Sequence, residues 1–245
     1  MIKKLYDKNE LWFALLWILA YVLLASIGDI LSTKIGIAKI FTFPILLILS
    51  LLLITFLKRN SLEEEYGLRN PKTPAFKMLF YIPLIILITA NLWHGFTINT
   101  TLTETILFIL SMFCVGFLEE IIFRGLLFNA LAKKGVYSAI IISSISFGMG
   151  HIVNLINGSG AQLLPNIIQV IYATATGFTF VIIYYKTKSL IPCILTHCIF
   201  NGLSIFSNES ATTIKIQIIS GLIITFISVS YAVYLALTLK EKEEK

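Results

Sequence analysis

The chain has 245 residues, of which 57% are hydrophobic and only 13% charged, with a net charge of +6. Soluble domains carry about 25% charged residues, so this composition excludes an ordinary soluble fold and points to a membrane-embedded one. Backbone polar groups in lipid must be paired within a helix or a closed barrel. No sustained period-two alternation marks barrel strands, so the expected fold is all-α: a polytopic membrane bundle of about eight transmembrane helices.

The apolar runs place these spans at 11–31, 40–57, 78–96, 105–132, 137–156, 163–185, 189–206 and 214–238. The first follows Met1-Ile2-Lys3-Lys4, a basic start shared with signal peptides. Its apolar part is long and no small-x-small cleavage site follows, so it reads as a retained span. Basic residues gather in alternate segments: Lys3, Lys4 and Lys8; Lys58, Arg59, Arg69, Lys72 and Lys77; Lys133 and Lys134; Lys186 and Lys188; and Lys240, Lys242 and Lys245. By the positive-inside rule these segments face the cytoplasm. The expected location is the cell membrane, multi-pass, with both termini cytoplasmic. The positive charge then reports topology, the bilayer is the expected partner, and a nucleic-acid partner is not expected. Cys114, Cys193 and Cys198 fall in apolar spans without regular spacing, which reads as packing and gives no disulfide framework.

An ionisable group near the bilayer centre costs a few kcal/mol and is a functional hypothesis by default. Glu119, Glu120 and Arg124 lie in the fourth span, His151 in the fifth, and His197 and Asn201 in the seventh. At about 1.5 Å per residue, each of Glu119, His151 and Asn201 sits about 20 Å from the cytoplasmic end of its span. Glu120 and Arg124 are spaced i, i+4 and can pair on one helix face; His197 and Asn201 share the same spacing. Glu119 is turned about 100° from Glu120 and faces another neighbour. Phe147 stands one turn before His151 and can wall its imidazole.

Such a cluster suits hydrolysis of a peptide bond. Glu119 can act as the base toward water, with His151 helping to hold it. His197 and the Asn201 amide can donate to the oxyanion. Glu120 with Arg124 reads as a structural pair. No HExxH occurs, and Asp7 and Asp29 lie near the ends of the first span, so no deep aspartate pair is available.

FLEEIIFRG, residues 117–125, resembles the EExxxR motif of the intramembrane CAAX-protease and bacteriocin-processing (CPBP/ABI) family. Phe147-Gly148-Met149-Gly150-His151 resembles its FxxxH motif, and His197-Cys198-Ile199-Phe200-Asn201 its HxxxN motif. The resemblance implies an eight-helix glutamate endopeptidase, often described as a metalloprotease, with residues 78–206 as its catalytic core. Residues 1–77 then form a variable N-terminal membrane region and 207–245 the last span and tail. Glu119 with His151 would activate water, and His197 with Asn201 would form the oxyanion site. The substrate would be a peptide precursor or a membrane-associated protein. No cofactor is expected; the alternative is Zn²⁺ held by Glu119, His151 and His197. Two other functions fit the same residues: a proton- or ion-coupled transporter, and a non-catalytic immunity or scaffold protein.

Overall fold

The computed structural model describes residues 2–157 and 160–238. Its helices are α1 (Ile2–Lys8), α2 (Glu10–Ile35), α3 (Thr42–Arg59), α4 (Ile82–Ile88), α5 (Leu102–Glu119), α6 (Phe128–Ala132), α7 (Val136–Gly150), α8 (Leu163–Thr187), α9 (Ile191–Leu203) and α10 (Ile214–Thr238). A π-helical segment, Glu120–Leu127, joins α5 to α6 as one helical run. Lys240, Lys242 and Lys245 lie outside the described residues.

Local chemistry sets the helix ends. The Asn9 side chain accepts from the Trp12 backbone N–H at 3.0 Å and starts α2. Gly36, at φ 77°, ends it in the left-handed conformation that glycine adopts freely. Thr101 and Glu104 form a reciprocal capping box at the start of α5.

Among the described residues, seven helical stretches are long and apolar enough to cross a membrane. They match the expected spans with shifts of a few residues, and the chain is a multi-pass membrane protein. The eighth, Ile191–Phe206, is a shorter apolar helix, bounded by Pro192 at its first turn and a 3-10 turn at its end. The third span is also less regular than its hydropathy suggests. Leu79, Phe80 and Tyr81 all have positive φ, at 49°, 48° and 58°, before the chain enters α4. Pro83 sits in the first turn of α4, where a missing N–H costs nothing. The Tyr231 hydroxyl fixes this bend by donating to the Met78 carbonyl at 2.7 Å.

Leu19, Leu23 and Ile27 of α2, Ile48, Leu51 and Leu52 of α3, and Phe226 of α10 are exposed. Such an outward apolar band suits lipid contact, since water would leave it solvated at a cost of about 25 cal/mol per Å². The interior is built where α5 meets α9, α7 meets α8 and α8 meets α10, with α2 laid against the π segment. The α1 turn was not legible in the sequence because it is short and carries Lys3, Lys4, Asp7 and Lys8. It is held by Tyr6, whose ring packs edge-on against Phe13, Phe56 and Tyr66.

The cysteines are free. Cys198 Sγ lies 3.3 Å from the Phe113 carbonyl and Cys193 Sγ 3.6 Å from that of Phe180, so both pack between helices.

Candidate active site

The π-helical segment carries the acidic motif. A π turn bonds i to i+5 and is rare, usually appearing at functional sites. All eight residues of Glu120–Leu127 are buried, so the widened turn is enclosed by packing on every side. Within it, Arg124 Nη1 donates to Glu120 Oε1 at 3.1 Å, with both side chains 0% exposed. Their mutual attraction offsets a desolvation cost of several kcal/mol per ion.

Glu120 does more than neutralise Arg124. Its Oε1 also lies 2.8 Å from His197 Nδ1. The same imidazole presents Nε2 to Glu119 Oε2 at 3.4 Å. His197 therefore stands between two carboxylates on adjacent residues. That juxtaposition depends on a close approach of α5 and α9. A Cβ on Gly116 would come within 2.7 Å of Cys198 Sγ and 2.8 Å of its backbone nitrogen. Only hydrogen fits at Gly116, one turn before Glu120 and beside the neighbour of His197.

Phe147 is the second hinge of the cluster. Arg124 Cζ sits 3.8 Å above its ring centroid, within the range of a cation–π contact. The Phe147 ring meets His151 edge-on at 5.5 Å and His197 at 5.7 Å. One aromatic ring thus spaces the buried guanidinium from both imidazoles. Gly177 on α8 leaves room for this: a Cβ there would stand 3.3 Å from Arg124 Nη2 and 3.2 Å from the Ser144 backbone. Gly177 is thus a packing element between α8 and α7.

His151 ends α7, where the helix tightens into the 3-10 turn His151–Leu155. Its carbonyl accepts from Asn166 Nδ2 at 2.9 Å, so α8 holds the backbone of the histidine in place. Among the described residues no hydrogen bond joins His151 to Glu119. His151, His197 and Asn201 instead meet around one partly open cavity. Leu87, Phe180 and Phe200 supply apolar wall to the same cavity. The Asn201 and His197 side chains, one turn apart on α9, both reach it.

Two parts of this arrangement were missed in the sequence. Tyr21 of α2 donates its hydroxyl to Glu119 Oε1 at 2.5 Å, so the first span contributes directly to the acidic motif. The available signal was a tyrosine in mid-span, since tyrosine in membrane helices favours the interfaces. Asn166 was also missed; it is 2% exposed near the start of α8, and a buried carboxamide there needs a partner.

The zinc alternative would draw on Glu119, His151 and His197. Among the described residues no three His, Cys, Asp or Glu side chains are grouped to hold a metal ion. Of their donor atoms, Glu119 Oε1 accepts from Tyr21 and His197 Nδ1 faces Glu120, while Glu119 Oε2 has no hydrogen-bond partner among the described residues.

The model of the Rce1-like family, described as type II CAAX prenyl endopeptidase Rce1-like, matches residues 101–203. All three motifs lie in that segment. Over that segment the chain is similar to the CAAX-protease family. A relative from Bacillus subtilis (strain 168), named "Putative membrane peptidase YdiL", is 33% identical over 97 residues. That alignment covers 39% of this chain and 34% of the relative's length. Tyr21 lies outside the segment that the family model matches, whereas Asn166 lies inside it.

Proposed function

We propose that this CAAX-protease-family chain is an intramembrane endopeptidase that hydrolyses a peptide bond in a peptide precursor or a membrane-associated protein. The observation that carries the reading is the state of Glu119. Its Oε2 is buried without a hydrogen-bond partner among the described residues, yet it stands 3.4 Å from His197 Nε2, on the ring that lines the cavity. An ionisable oxygen kept unsatisfied in an apolar interior is costly, and a base that must receive a proton needs a free lone pair.

In the proposed reaction, Glu119 Oε2 takes a proton from a water held between it and His151, and the oxygen of that water attacks the scissile carbonyl. The absence of a direct bond between Glu119 and His151 suits a water placed between them. Negative charge moves to the carbonyl oxygen, which accepts from the Asn201 carboxamide and from His197 Nε2–H. With Nδ1 donating to Glu120, Nε2 can donate only when the ring carries both protons, a form whose charge the flanking carboxylates balance. Glu119 then returns its proton to the leaving amine, and the peptide bond breaks. Glu120 orients His197 while Arg124 holds Glu120, so their part is positional.

The test is incubation of the purified protein in lipid with apolar and membrane-tethered peptides, with products identified by mass. Cleavage at defined bonds, with one solvent oxygen in each new carboxylate, is the expected result. Substrate movement across the vesicle without cleavage would instead support the transporter reading.

A further inference from the structure

The base assignment leaves one contact unexplained. Tyr21 is 8% exposed in the middle of α2, about 16 Å along the helix from Glu10. A tyrosine at that depth must find a partner for its hydroxyl, and any backbone carbonyl or serine would serve. The phenol reaches instead across 98 positions of sequence to Glu119 Oε1, at 2.5 Å. A contact this short is typical of a hydrogen bond to a charged oxygen.

The consequence lies in which oxygen is taken. A carboxylate free to rotate can present either oxygen, and Glu119 has His197 on one side only. With Oε1 held by Tyr21, rotation is stopped and Oε2 is left facing His197. The groups acting on Glu119 come from four elements. They are Tyr21 of α2, His151 after α7 and His197 of α9, with Glu120 and Arg124 of the π segment paired to each other beside it. Of these, Tyr21 alone donates a hydrogen bond to Glu119 among the described residues. We propose that Tyr21 is a positioning residue of the hydrolytic site, fixing the Glu119 carboxylate so that Oε2 is the oxygen that receives the proton from water. The first span is then part of the working site, although the family model begins at residue 101.

This inference rests on Glu119 being the base, and the experiment separates the two. Wild type, Tyr21→Phe, Glu119→Asp, the double variant and Glu119→Gln are purified as full chains. They are compared on one peptide that the wild type cleaves, with thermal unfolding measured on each. Tyr21→Phe removes one oxygen and keeps the ring. The expected result is a fall in kcat of about 10- to 100-fold, matching the usual worth of a hydrogen bond to a charged group. KM should stay within about twofold, since the phenol touches no substrate. Glu119→Asp withdraws the carboxylate from the phenol, so adding Tyr21→Phe to it should lower kcat by less than about twofold. That comparison holds even where one variant is less stable. An unchanged kcat in Tyr21→Phe, a change in KM alone, or the full loss repeated in the Asp background overturns the proposal. If Glu119→Gln is as active as wild type, the base assignment itself fails; if it is inactive while Tyr21→Phe is fully active, only the role of Tyr21 fails.

Discussion

Glu119 and Glu120 are neighbours in sequence with different surroundings. Each keeps one buried oxygen without a hydrogen bond among the described residues, but Glu120 Oε1 is shared between Arg124 and His197, whereas Glu119 Oε1 is held by Tyr21 and its Oε2 stands 3.4 Å from His197 Nε2. Their variants should differ accordingly. Arg124→Ala strands a buried carboxylate, which costs about 3–5 kcal/mol, and thermal unfolding should show a large drop. Asn201→Ala removes a donor aimed at the cavity and leaves the packing of α9 intact. It should lower kcat by about 10²–10³-fold with little change in melting. Equal kcat in Asn201→Ala and wild type would remove Asn201 from the oxyanion site. The polar residues of the cluster were legible in the sequence because each is out of place in an apolar span. Their partners were less so: the His197–Glu120 bond joins residues 77 positions apart, a distance that i, i+4 spacing cannot report.

At the scale of elements, the site depends on two close approaches. Gly116 lets α5 touch α9, and Gly177 lets α8 close over Arg124. Gly116→Val should force the first pair apart, since the contacts at 2.7 and 2.8 Å include backbone that cannot rotate away. A loss of about 1–3 kcal/mol is expected from overpacking, read as a lower unfolding temperature together with lost cleavage. Hydropathy located the helices but not their irregularities. The i, i+4 spacing of Glu120 and Arg124 fits an α-helix as well as a π turn, so the π segment, enclosed by α2, α7 and α8, is not marked in the sequence. The bend at Leu79–Tyr81 was hidden because its residues are apolar, and Pro83 alone hinted at a break.

For the whole molecule, the arrangement of basic segments proposes a topology. With both termini cytoplasmic, Lys58, Arg59, Lys133, Lys134, Lys186 and Lys188 share one face with Lys3 and Lys8. Single cysteines at exposed positions near Lys134 and Lys188 should react with a membrane-impermeant thiol reagent only after cells are opened. One near Thr100 should react in intact cells. The reverse pattern would invert the orientation. The cavity with its three cluster residues would then open differently toward the two aqueous phases, although its chemistry would be unchanged.

The central claim is that Glu119 serves as a base acting through protein groups alone. The most direct measurement is kcat for cleavage of one peptide by wild type and Glu119→Gln, each with and without a strong chelator. The account predicts a fall of about 10²–10⁴-fold in the variant, the usual worth of a positioned base. It also predicts a wild-type rate that the chelator leaves unchanged. A Gln variant that cleaves at the wild-type rate, or wild-type activity lost to chelator and restored by Zn²⁺, would contradict it.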